Sequence, residues 1–121
     1  MPYNLRPDLS ANFLKRFEIF IPIKYNDGML IPAQKIRRLY EELMEAFGGV
    51  SIQSPFSGSG VDGFYVSAIS QALLKDKSYM IMVLSNDSDD SLEFFRKNLP
   101  RWEKTFKQEK ILVMMYQIFS I

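Results

Sequence analysis

RFEIFIPIKY, the run from Arg16 to Tyr25, decides the fold of this 121-residue chain. Its apolar side chains recur at every second position, which is the spacing of a β-strand with one buried face. That face comprises Phe17, Ile19, Ile21, Ile23 and Tyr25. The opposite face of the strand carries charged residues together with Phe20 and Pro22, so we expect it to be only partly exposed to solvent. The run therefore predicts the first strand of a sheet, which later segments must pair with or cover.

A turn and an amphipathic helix are predicted to follow this strand. The turn is Asn26-Asp27-Gly28, whose residue types favour tight turns. The helix is expected to begin at Pro32 and to stop at Gly48-Gly49, because proline suits a first helical turn and glycine a C-terminal cap. Between these limits, apolar residues recur at helical spacings of three and four, at Ile36, Leu39, Tyr40, Leu43 and Phe47.

The second half of the chain predicts three more strands. Residues 50–54 give a short second strand, followed by a loop rich in glycine and serine. The continuous apolar run from Ser78 to Leu84 predicts an interior strand that is apolar on both faces. The last strand, from Lys110 to Phe119, has the same two-sided apolar character.

A second helix is predicted between these last two strands. It is expected to begin near Asp87 or Ser88, where a side chain can accept hydrogen bonds from free helical N–H groups. Its apolar stripe consists of Leu92, Phe95, Leu99, Trp102 and Phe106. Pro100 falls inside that stripe and predicts a kink or a break, with Asn98 as the break point, because proline lacks an N–H.

The order strand, helix, strand, strand, helix, strand predicts a ferredoxin-like α+β fold. In that fold, two right-handed crossovers build a four-stranded antiparallel sheet with both helices on one face. The expected organisation is an N-terminal arm, residues 1–14, and one domain, residues 15–121. Pro22 conflicts with a central first strand because it cannot donate to a ladder. A bulge there, or the loss of one neighbouring strand beyond Ile21, would remove the conflict.

Composition excludes several kinds of chemistry. The chain has no cysteine and no histidine, which excludes disulfides, ordinary zinc sites and catalysis by imidazole or thiolate. Its net charge of +1 provides no overall attraction for nucleic acid or an anionic membrane. We expect a cytoplasmic protein without a cofactor, and a binding module in preference to an enzyme.

Two surfaces are candidates for function. If both helices cover one sheet face, the apolar residues of the other face form a patch that a second copy would bury in a homodimer. Its expected members are Phe20, Met80, Met82, Leu84 and Met114. The alternative is a sensor or enzyme with a small-molecule pocket between that face and residues 54–64. Its polar members would be Asp62, Tyr65, Asp76, Lys77 and Tyr79.

A third possibility is nucleic-acid binding by the C-terminal half of the second helix. Basic residues outnumber acidic ones there, at Arg96, Lys97, Arg101, Lys104, Lys107 and Lys110. The near-neutral chain makes this role unlikely on sequence grounds, because affinity for nucleic acid depends on phosphate neutralisation. Cations near a helix C-terminus also have a simpler explanation, since they complement the helix dipole.

The chain resembles small stand-alone bacterial proteins of unassigned function with a ferredoxin-like fold. The resemblance rests on the Phe17 to Pro22 strand, the Asn26-Asp27-Gly28 turn, the Phe47-Gly48-Gly49 helix stop and the Asp76-Lys77-Ser78 strand entry. It covers roughly residues 17–119. Such proteins often pair through their sheets, which implies a homodimer here and implies no catalytic residue.

Overall fold

The computed structural model describes residues 4–54 and 78–121. The elements in chain order are strand β1 (Phe13–Pro22), helix α1 (Ala33–Phe47), strand β2 (Ser51–Gln53), strand β3 (Ser78–Asn86), helix α2 (Asp89–Thr105) and strand β4 (Leu112–Phe119). The strands form one antiparallel sheet in the order β2-β3-β1-β4. This is the ferredoxin-like α+β topology that the sequence predicts.

Strand β1 lies between β3 and β4 and divides the sheet into two faces. Phe17 pairs with Val83 on β3 and with Met115 on β4, so these side chains share the face that carries the helices. Pro22 is the last residue of β1, and β4 pairing ends at Phe20. Because β4 does not extend alongside Pro22, the N–H that proline lacks would have had no partner there. The loss of one neighbouring strand beyond Ile21 therefore explains how a proline can stand in β1.

The core is an aromatic cluster between the sheet and the two helices. The Phe17 and Phe95 rings lie 4.3 Å apart, and the Phe95 and Trp102 rings 5.9 Å apart in an edge-to-face arrangement. Ile19, Ile21, Leu43 and Ile81 complete its centre without exposed surface. The alternation of β1 and the stripe of α1 therefore bury the residues that the sequence predicts, except Tyr25 and Tyr40, which are half-buried.

Helix α2 runs through Pro100 without a break, so the predicted break at Asn98 is wrong. Buried side chains on both sides of the proline explain the continuity, because Phe95 and Trp102 pack into the same core. Pro100 itself is exposed. Asn98 donates its side-chain amide to the Phe94 carbonyl at 2.8 Å, which adds a polar contact inside the helix.

The helix ends are only partly as predicted. Gly48 follows α1 with φ of 82°, and its N–H donates to the Met44 carbonyl at 2.8 Å, as a glycine stop requires. At the start of α2, Ser88 makes no side-chain cap, contrary to the prediction. Its hydroxyl lies 2.6 Å from Asn86 Oδ1 and donates to that oxygen.

One apolar side chain of the N-terminal arm, that of Leu5, enters the core cluster. Leu5 is buried in the core cluster, whereas Leu9 is exposed. The Asn86 N–H donates to the Leu5 carbonyl at 3.2 Å, and the Asn86 side-chain amide donates to the Asn4 carbonyl at 2.6 Å. The arm thus adds a backbone contact to the outer edge of β3.

Candidate interaction surface

The open sheet face carries the predicted interface residues, but not all of them are accessible. Phe20 and Met80 are only 3% and 4% exposed within one chain. Met82, Leu84 and Met114 are half-buried on the same face. A second copy would therefore meet the margins of this face and not its centre.

A charged group lies among these apolar side chains. Glu18 is buried, pairs with Arg16 at 2.9 Å and accepts a hydrogen bond from the Tyr116 hydroxyl at 3.1 Å. Met82 and Met114 flank it on the two neighbouring strands. The sequence predicts that Glu18 lies on a partly exposed face of the strand, and its burial was not predicted. The alternating Arg16 and Glu18 offered a signal, because residues two apart on a strand share one face.

Strand β4 forms an edge of the sheet and carries no charged residue. Among the residues described, its only strand neighbour is β1. Met115 is 43% exposed and Phe119 is 62% exposed. Phe13, across from Phe119 on β1, is also exposed, and the two rings pack edge to face at 5.4 Å. We call Phe13, Met115, Phe119 and Ile121 the edge cluster.

The predicted small-molecule pocket cannot be assembled from the described residues. Asp62, Tyr65, Asp76 and Lys77 lie outside them. Tyr79 pairs with Ile21 on the helix face and packs against the core cluster. Met80 and Met82, two residues of the open face beside which this pocket was expected, point to the face opposite Tyr79. The structure therefore does not place Tyr79 on the sheet face where the pocket was predicted.

A different cavity, of about 540 Å³, lies between the arm and the β2 edge. Its lining includes Arg6 of the arm, Gly48 and Gly49 at the end of α1, and Met82 and Leu84 of the open face. Its volume is within the usual range of small-molecule sites. Two of the predicted interface residues therefore border a cavity as well as the open face.

The basic residues of α2 are partly engaged within the chain. Arg96 pairs with Glu93, and Arg101 pairs with Glu42 at 2.8 Å. The Lys107 ammonium lies 5.1 Å from the centre of the Tyr25 ring. Between the helices, Arg38, Glu42 and Arg101 line a smaller groove of about 220 Å³ with Lys35, Leu39, Trp102, Thr105 and Phe106. These contacts favour a structural role for much of the basic surface.

The carboxylate of Asp87, just before α2, also has partners within the chain. Asp87 lies 3.4 Å from the Lys15 ammonium and accepts two hydrogen bonds from the Gln117 amide. Within residues 4–54 and 78–121, no three carboxylates converge as a metal site would require. Neither helix of these ranges is long and apolar enough to cross a lipid bilayer.

No family model, curated protein or solved structure matches this chain.

Proposed function

We propose that this protein is a homodimeric interaction module whose contact surface is the sheet edge at β4, the strand that pairs only with β1 among the described residues. The observation that carries the proposal is the combination of an uncharged edge strand with the exposed edge cluster. Soluble proteins usually protect an edge strand with lysine, proline or a bulge, because its unpaired backbone groups attract another strand. None of the eight residues of β4 is a lysine or a proline.

Charge and symmetry support a second copy as the occupant. Two identical charged strands would place like charges close together, but β4 has no charge to repel its own copy. A two-fold axis makes the same patch face itself, which suits a surface built from one strand. The neighbouring half-buried Met114 adds apolar area on the open face.

Light scattering over a concentration range tests this proposal. The protein is expected to be a dimer at micromolar concentration, and Phe119→Glu is expected to shift it to monomer. Phe119 is mostly exposed, so the substitution leaves the core intact. Met29→Glu is the matched control, since Met29 is 66% exposed in the turn beyond the opposite end of β1. A wild-type monomer at high micromolar concentration would refute the proposal.

The cavity between the N-terminal arm and the β2 edge supports a second candidate function, small-molecule binding. Among the described residues that line it, apolar side chains occur with the cation Arg6, a mixture that suits an apolar ligand with an acidic group. A thermal-shift screen of fatty and aromatic carboxylic acids tests this function, because a ligand that binds only the folded state raises the melting temperature. The shift should be lost in Arg6→Ala and kept in Arg37→Ala, which alters an exposed residue of α1. This candidate would be excluded if no acid in the screen stabilised the protein, or if the stabilisation were unchanged in Arg6→Ala.

A further inference from the structure

We infer that the two copies join by antiparallel pairing of β4 with β4, with the two-fold axis at Tyr116. The pairing makes one continuous eight-stranded sheet from two four-stranded ones. This inference rests on the proposed function and specifies its geometry.

Hydrogen bonds at the ends of the strands fix which backbone groups point outward. The Ser120 N–H donates to the Asn12 carbonyl at 2.6 Å, so the even-numbered residues of this segment direct their backbone groups toward β1. An antiparallel strand alternates the direction of these groups at each residue. The outward groups of β4 therefore belong to Val113, Met115, Gln117 and Phe119. Their side chains lie on the helix face, in register with Phe17.

Two-fold symmetry then restricts the register to a few choices. An axis at Tyr116 sets Val113 opposite Phe119 and Met115 opposite Gln117, so all four outward residues of each copy find partners within the strand. An axis at Met115 leaves Phe119 to face the segment before β4. An axis at Gln117 leaves Val113 to face the residues after β4. The axis at Tyr116 is favoured because it satisfies the most backbone groups.

The same register places compatible side chains together. The exposed Phe119 faces the half-buried, β-branched Val113, and the exposed Met115 faces the uncharged Gln117. Aromatic and β-branched residues form favourable cross-strand pairs. On the open face, Tyr116 meets its own copy at a non-hydrogen-bonded position, where antiparallel Cα atoms approach to about 4.5 Å.

A single cysteine tests the position of the axis, because the chain has none of its own. Tyr116→Cys is expected to form a covalent dimer on mild oxidation, since the Cα spacing at the axis suits a disulfide. Ile118→Cys is the matched control on the same face of β4. Its two copies would be four residues apart along the strands, roughly 13 Å, which is too far to bridge.

The outcomes separate this inference from the proposed function. Efficient crosslinking at position 116 and little at position 118, on a non-reducing gel, supports the axis. A dimer by light scattering that does not crosslink at position 116, or crosslinks faster at position 118, overturns the axis and leaves the homodimer standing. A wild-type monomer overturns both. Circular dichroism checks the fold of Tyr116→Cys, which loses the hydrogen bond to Glu18.

A proline variant tests strand pairing without cysteine chemistry. Met115→Pro removes an outward N–H and leaves the bonds between β1 and β4 intact, because the groups of Met115 point away from β1. Symmetry removes two hydrogen bonds from the seam, so the dimer dissociation constant should rise at least about tenfold. An unchanged dissociation constant in a folded Met115→Pro variant would overturn edge pairing.

Discussion

The indole of Trp102 is held by packing and by one hydrogen bond. Its ring is 2% exposed beside Phe95, and its N–H donates to Glu42 at 2.7 Å. The same carboxylate accepts a hydrogen bond from Arg101, so one glutamate of α1 binds two consecutive residues of α2. Burial of this residue confirms the stripe predicted across Pro100.

Trp102→Ala is expected to lower the free energy of unfolding by roughly 3–5 kcal/mol, because it leaves a large cavity in the core. Urea denaturation measures the loss. The wild-type emission should be blue-shifted and poorly quenched by iodide, since the ring is shielded from water. A red, easily quenched emission from the folded protein would contradict the placement of this residue.

The turn of the arm should depend on acid pH through Asp8. Its carboxylate accepts hydrogen bonds from the Ser10 hydroxyl at 2.6 Å and the Ser10 N–H at 3.0 Å. These bonds, the hydroxyl first, lower the pKa of Asp8 below its ordinary value of 3.8. Because the folded pKa is the lower one, the contribution is present above that ordinary value and is lost as pH falls through the folded pKa.

The amide resonance of Ser10 reports this transition by NMR. Its chemical shift should stay constant from neutral pH to about pH 4 and then move as Asp8 becomes protonated. Asp8→Asn should abolish the transition. A midpoint above 3.8 in the wild type would show that these hydrogen bonds do not favour the charged carboxylate.

At the scale of elements, the stop of α1 depends on one of two adjacent glycines. Gly48 has a left-handed backbone, and a Cβ there would lie 3.3 Å from the Arg6 side chain. Gly48→Ala is expected to cost about 1–2 kcal/mol, because residues with a Cβ disfavour this conformation. Gly49→Ala is the matched control, since a Cβ at Gly49 meets nothing within 4 Å. Equal effects of the two variants in urea denaturation would contradict this assignment.

The sequence predicts these elements well where a local pattern coincides with burial. The alternation of β1, the stripe of α1 and the Gly48 stop each concern neighbours along the chain, so they can be recognised without a structure. Of the kink or break predicted from Pro100, the break at Asn98 is wrong, because local rules omit the core that holds Phe95 and Trp102. The side-chain cap at Ser88 was predicted wrongly, since its hydroxyl is directed toward Asn86 Oδ1 and accepts no hydrogen bond from the helix N–H groups.

The candidate site was harder to predict because it depends on the sheet as a whole. Residues of β4 are apolar on both faces, which is typical of a buried strand, yet β4 lies at the sheet edge and leaves Met115 and Phe119 exposed. The run from Ser78 to Leu84 is apolar throughout, so its pattern did not assign Tyr79 to the helix face. The burial of Phe20 and Met80 is likewise a property of the folded chain.

At the scale of the molecule, a dimer couples folding to concentration. Raising the protein concentration tenfold should raise the melting temperature, because association stabilises only the folded state. Differential scanning fluorimetry over two decades of concentration measures this dependence. Phe119→Glu should give a concentration-independent melting temperature, and a wild type that behaves in the same way would argue against self-association.

The short strand at the edge opposite β4 bears on the stoichiometry of the proposed assembly. A sheet with two edges open to pairing can add copies at both, so growth leads to a filament. Here the edge opposite β4 is β2, which has only three residues, and the Asn86 N–H of β3 beyond it already donates to the Leu5 carbonyl of the arm. Few backbone groups are therefore left for pairing on that side. If β4 pairs with β4 as proposed, we expect assembly to stop at two copies.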